Sequence, residues 1–144
     1  MDAQARKKPL AVYVHFPFCR AKCAYCDFTS FSGKGGLIPE YLSVLKEEIS
    51  LNSNLYSEHE VKSVFFGGGT PTVLESKDLT EILRILREKY NFSKTVEISI
   101  EANPETVTLK SLTELRRGGF NRISFGVQSF SDRDRKSTRL NSSH

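Results

Sequence analysis

Outside one eight-residue window this chain has no cysteine. Its three thiols, Cys19, Cys23 and Cys26, fall in the run Phe18-Cys19-Arg20-Ala21-Lys22-Cys23-Ala24-Tyr25-Cys26. An odd number of thiols cannot pair off as disulfides, and clustered reduced cysteines suit a reducing compartment, so the cytoplasm is the expected location. An apolar stretch of the roughly 18 residues that would span a bilayer is also missing. Residues 1–8 are polar and basic and lack the apolar core of a secretion signal. Charge of one sign is scarce where it would count. The net charge is +4, but residues 1–8 and 132–144 each carry +2 and the stretch between them is neutral. The pI of 9.0 therefore belongs to the two ends, and a basic face for nucleic acid is not supported. No dinucleotide-binding G-x-G-x-x-G leads into a helix, and the glycine-rich segment lacks a P-loop lysine.

Thiols this close together are how proteins hold zinc or an iron–sulfur cluster. On a four-iron cube three thiolates leave one iron without a cysteine and open to another ligand. The rival is a tetrahedral structural zinc held by His15, Cys19, Cys23 and Cys26. It leaves the other polar motifs of the chain unexplained. Inert packing is the plainest alternative, although three cysteines in eight residues rarely arise that way.

Strand and helix patterns alternate along the chain. Leu10 to Phe16, Val61 to Phe66, Val96 to Ile100 and Arg122 to Val127 read as strands. Between them lie helices over Pro39 to Leu51, from Ser76 (a cap) through Tyr90, and through Leu109, Leu112 and Leu115 to the stop at Gly118-Gly119. This order predicts an α/β fold of parallel βαβ units, either a doubly wound sheet or a (β/α) barrel. An eight-unit barrel takes about 250 residues, so four strands make a partial barrel.

Each strand is followed by a distinctive loop: the cysteines, Gly67-Gly68-Gly69-Thr70-Pro71, Glu101 to Glu105, and Gln128. Parallel barrels put their chemistry at the carboxyl ends of the strands, so one rule gathers all four loops on one face. Successive glycine N–H groups can cradle a carboxylate or phosphate; a tight turn is the plainer reading. Glu101 and Gln128 can hydrogen-bond ribose hydroxyls or an ammonium group, or simply end strands in solvent. Tyr13 and His15 alternate onto one face of the first strand, where both would line the barrel interior or serve as hydrogen-bonded core residues.

After Phe130 the chain turns polar, and the expected fourth amphipathic helix is not written. The ending Arg135-Lys136-Ser137-Thr138-Arg139-Leu140-Asn141-Ser142-Ser143-His144 looks like translated read-through of non-genomic DNA. The expected plan is a polar extension over residues 1–9, the amino-terminal half of a barrel domain over 10–133, and a non-native tail over 134–144. An unbroken genomic match across the codon for Arg133 would sink the last point.

Together these residues resemble one family. Cys-x3-Cys-x2-Cys with Tyr25 before the last cysteine is similar to the radical S-adenosylmethionine (SAM) signature. The runs Tyr13 to Cys19, Gly67 to Thr72, Glu97 to Pro104 and Asn121 to Phe130 resemble the oxygen-independent coproporphyrinogen III oxidase group. The resemblance covers Leu10 to Arg133 and implies an amino-terminal fragment of a radical SAM barrel. It also implies a [4Fe-4S] cluster on Cys19, Cys23 and Cys26, with SAM chelating the open iron. Tyr13, Tyr25, Gly68, Gly69, Thr70, Glu101 and Gln128 stand where the family contacts SAM. The implied chemistry is electron transfer to the sulfonium, releasing methionine and a 5′-deoxyadenosyl radical. Cys26-Asp27-Phe28, where authentic oxidases resemble Cys-x-Cys, is similar to the HemW branch, which implies heme as a ligand, heme-accepting proteins and an electron donor as partners. The alternative is a coproporphyrinogen oxidase.

Overall fold

A computed structural model describes residues 5–19, 31–32 and 35–126. In chain order the regular elements are β1 (Lys8–Phe16), β2 (Phe18–Cys19), β3 (Phe31–Ser32), α1 (Ile38–Asn52), β4 (His59–Gly68), α2 (Ser76–Lys89), β5 (Phe92–Ala102), α3 (Leu109–Gly118) and β6 (Arg122–Phe125). The main sheet has the order β1-β4-β5-β6 with every pair parallel, and β2 and β3 form a separate short parallel pair. The four expected strands and three expected helices are all present. β1, β4 and β5 run longer than their apolar cores, because ladder hydrogen bonds continue into the flanking polar residues.

Helix α2 packs against both α1 and α3. Three successive crossover helices that touch in this way lie on one face of the sheet. A doubly wound sheet would divide them between two faces, so the arrangement is that of a barrel wall. Strand alternation supplies the sheet side of the core: Val14, Phe16, Val64, Phe66, Ile98 and Ile100 are buried toward the helices. The helix side comes from the 3.6-residue repeat Leu79, Ile82, Leu83 and Leu86 of α2, all at most 2% exposed, with Leu115 of α3. Phe120, just past α3, meets Phe66 edge-on with ring centroids 4.9 Å apart.

The helix ends follow their local chemistry, with one correction. Ser76 is the first residue of α2 rather than its cap; the capping position is held by Glu75, with no side-chain cap bond. The Ser76 hydroxyl donates instead to the Glu114 carboxylate of α3, so the serine tethers two helices. Thr108 caps α3 in a reciprocal box with Ser111, and Gly119 ends it at φ 113°, the left-handed conformation that favours glycine. Leu109 lies on the outside of α3 at 83% exposed, because it falls at the first helical position before the packed stripe begins.

Among the described residues no helix is long and apolar enough to cross a membrane. The tail from residue 127, including the fourth strand's expected end at Val127, lies outside the described residues.

Candidate functional site at the carboxyl ends of the strands

On the helix-free face, strand register arranges the side chains in rows. Tyr13 stands opposite Phe65, Phe65 opposite Ser99, and Ser99 opposite Arg122. The next row toward the carboxyl ends starts at His15 opposite Gly67 and ends at Glu101 opposite Ser124. Tyr13 and His15 therefore do share the face turned away from the helices. The Tyr13 hydroxyl lies 3.0 Å from His15 Nδ1, and the Tyr13 ring stacks on Phe65 at 6.0 Å.

Gly67 is what allows this packing. A Cβ there would come within 2.7 Å of the Phe65 ring, 3.0 Å of the Tyr13 ring and 3.2 Å of Glu101 Oε2. Glu101 thus reaches past a residue with no side chain and lies close to the two aromatics. Its carboxylate accepts the backbone N–H of Gly68. Partial burial pushes its pKa up, while that N–H and the nearby His15 act the other way. Tyr13 is also raised, first by burial and then by the charge of Glu101.

The glycine loop is bonded as a turn. The Gly68 N–H goes to Glu101, the Gly69 N–H to the Phe16 carbonyl at 2.7 Å, and the Thr70 N–H to the Phe18 carbonyl at 2.7 Å. All three amides have partners within the chain, the bonding of a tight turn. They fasten β4 to the segment that enters the cysteine loop. Gly68 adopts φ 117°, open to glycine and rare for other residues. Gly69 permits close approach, since a Cβ would stand 2.5 Å from the Phe18 carbonyl oxygen and 2.7 Å from Cys19 Sγ. Cys19 Sγ lies 3.8 Å from Thr70 Oγ1, within reach of a weak sulfur hydrogen bond.

The structure therefore brings Gly68, Gly69, Thr70 and Glu101 to the carboxyl end of the main sheet, with Cys19 on the adjoining β2 and Tyr13 one row below. Cys23, Cys26, Tyr25 and Gln128 lie outside the described residues. Below the upper row, Glu97 accepts the Ser99 hydroxyl at 3.0 Å and pairs with Arg122 at 3.0 Å; these two contacts, the hydroxyl first, lower its pKa. Sequence reasoning passed over Phe65 and read Gly67 only as part of the glycine loop. Strand alternation carries the missing signal: both fall on the face opposite the buried Val64 and Phe66.

Residues 13–143 match the family described as the Radical SAM superfamily. The heme chaperone HemW of Buchnera aphidicola (from Schizaphis graminum) is 41% identical over 124 residues, covering 85% of this chain and 33% of the relative. The Escherichia coli HemW is 40% identical over 126 residues, covering 86% and 33%. The oxygen-independent coproporphyrinogen III oxidase of Escherichia coli is 38% identical over 133 residues, covering 90% and 29%. Among solved structures, coproporphyrinogen III oxidase (HemN) from Escherichia coli, titled a radical SAM enzyme, superposes with a TM-score of 0.85 at 35% identity, covering 95% of this chain and 32% of that one. The chain thus spans about a third of the length of these relatives.

Proposed function

This chain belongs to the radical SAM superfamily, and on that premise we propose that it is part of a HemW-like heme chaperone carrying a [4Fe-4S] cluster and SAM. The observation that carries the reading is the contact of Cys19 with Gly69 and Thr70, at the same strand ends where Gly68 meets Glu101. The residues fit the groups. Cys19 begins a three-thiol loop, the glycines keep side chains out of its path, and Glu101 supplies the one carboxylate of the upper row. In this reading Cys19, Cys23 and Cys26 hold the cluster. Tyr13, Tyr25, Gly68, Gly69, Thr70, Glu101 and Gln128 hold SAM.

When bound, the two groups supply one-electron reductive cleavage of a sulfonium bond. The chain's own residues position and shield. Glu101 would receive the ammonium group of the methionyl end, its carboxylate fixed by the Gly68 N–H. Tyr13, locked to His15 and stacked on Phe65, forms the apolar floor beside it. Gly69 and Thr70 hold the entrance of the cysteine loop against β4.

The preference for a chaperone rests on Cys26-Asp27-Phe28; identities of 41% and 38% to the two kinds of relative do not separate them. Heme or porphyrin is then the ligand, heme-accepting proteins and an electron donor are partners, and the cytoplasm is the location. The second reading, an oxygen-independent coproporphyrinogen oxidase, is favoured by the HemN superposition.

The test is anaerobic reconstitution with iron and sulfide, dithionite reduction, and electron paramagnetic resonance with and without SAM. A reduced-cluster signal that changes on adding SAM is expected. A colourless protein holding one zinc would replace the reading with the His15–cysteine site. For the branch, heme titration and coproporphyrinogen conversion are measured on the chain extended to the length of its relatives. Stoichiometric heme binding without conversion supports the chaperone, and conversion overturns it.

A further inference from the structure

Strand β1 is an edge of the described sheet, paired only with β4. At its carboxyl end it runs directly into Phe18–Cys19, so any slack there is slack at the first cysteine. One flank of this segment is held by the amides of Gly69 and Thr70. On the other flank Phe18–Cys19 pairs with the two-residue strand β3, while β1 itself has no second strand among the described residues, and α1 sends Tyr41 across to that edge. The Tyr41 hydroxyl donates to the backbone carbonyl of His15. Its ring lies 6.4 Å from that of Phe16 and meets the Phe18 ring edge-on, 85° between planes and 5.3 Å between centroids. Phe18 is 4% exposed and directly precedes Cys19.

We propose that Tyr41 is a positioning residue for Cys19. It steadies the edge of β1 by donating to the His15 carbonyl and by packing edge-on against the Phe18 ring. The segment Phe16–Cys19 is then held on one flank by the amides of Gly69 and Thr70 and on the other by the short strand β3 together with one helix-borne side chain. Helix α1 thereby acquires a task beyond covering the sheet. The inference rests on the reading of Cys19 as a cluster ligand, but its geometry is testable without any metal.

The experiment compares Tyr41→Phe with Tyr90→Phe in the metal-free chain at low micromolar concentration. Tyr90 is the matched control: its hydroxyl also donates to a backbone carbonyl of α1, that of Ile49 at 3.1 Å, and it makes no ring contact with the Phe16–Cys19 segment. The readout is the rate of iodoacetamide alkylation at Cys19, mapped by mass spectrometry, with far-UV circular dichroism to verify the fold. Loss of one hydrogen bond corresponds to about a two- to tenfold larger open population. Tyr41→Phe is therefore expected to speed Cys19 alkylation by about threefold or more, with Tyr90→Phe near the wild-type rate. Phe18→Leu leaves the hydroxyl in place and removes the edge contact together with part of the Phe18 core packing. It is expected to speed alkylation too, and it decides the matter should Tyr41→Phe not fold. A wild-type rate in the folded Tyr41 variant, or an equal increase in the Tyr90 variant, would overturn the assignment. Where the reconstituted chain takes up a cluster, Tyr41→Phe should also alter its resonance line shape. A wild-type chain that takes up no cluster moves the test of the proposed function to the chain extended to the length of its relatives and leaves the alkylation result to judge Tyr41.

Discussion

Gly69 separates the backbone of β4 from the first cysteine by less than the width of a methyl group. In Gly69→Ala the new Cβ meets a carbonyl oxygen and a sulfur, neither the far end of a flexible side chain. Overpacking of this kind costs about 1–3 kcal/mol. The expected result is a lower thermal midpoint together with loss of the cluster signal. Glu101 makes a different prediction. Its folded pKa is raised, chiefly by burial, so the folded state holds the proton more tightly than the unfolded chain does. The ionised carboxylate thus subtracts stability at neutral pH, and this loss is relieved as pH falls through the raised folded value. Glu101→Gln should be more stable than the wild type at pH 7, with the gap closing in acid melts. It should bind SAM about tenfold or more weakly, because an ammonium–carboxylate hydrogen bond is lost. A variant with wild-type SAM affinity would remove Glu101 from the proposed site.

Elements were the most legible level, because each reports a periodicity. The repeat at 79, 82, 83 and 86 marks both the existence of α2 and its buried face, and Ile82 at 0% exposed sits at its centre. Ile82→Ala should cost about 2–5 kcal/mol in denaturant midpoints. What the sequence did not disclose is where side chains stand in for backbone. Asn121 lies just before β6, yet its Oδ1 accepts the Ile98 N–H at 2.8 Å and its Nδ2 donates to the Val96 carbonyl at 2.9 Å. It extends the ladder on β5 before β6 begins. Nothing in an Asn after Gly-Gly-Phe announces that role, because it depends on a partner more than twenty residues away. Asn121→Ala is expected to cost about 1–2 kcal/mol and to raise amide exchange at Ile98. The bonding of the glycine loop was hidden for a related reason. Its composition allows either a turn or exposed amides, and only the fold reveals that Phe16, Phe18 and Glu101 take them. The site's position was legible because strand ends in a parallel barrel share a face. Its internal bonding was not, because register is a pairwise property.

At the scale of the whole molecule, one face of the sheet is sealed by helices and the other carries Tyr13 at 57% exposed. Among the described residues β1 and β6 each have an unpaired side. Leu51 and Leu55, both more than 70% exposed, add apolar surface at the end of α1. Open parallel edges of this kind pair with other chains. The 144-residue polypeptide is expected to self-associate with rising concentration in light scattering. A species that stays monomeric across that range would contradict this.

The order of strands in space is also their order in the chain. A polypeptide emerging from the ribosome at about 5–20 residues per second can therefore lay down this wall without waiting for a distant partner. Each new βαβ turn adds to an edge already made. The cysteine segment is synthesised first, the glycine strand that fastens it second, and the carboxylate third, so the site is assembled in the direction of translation.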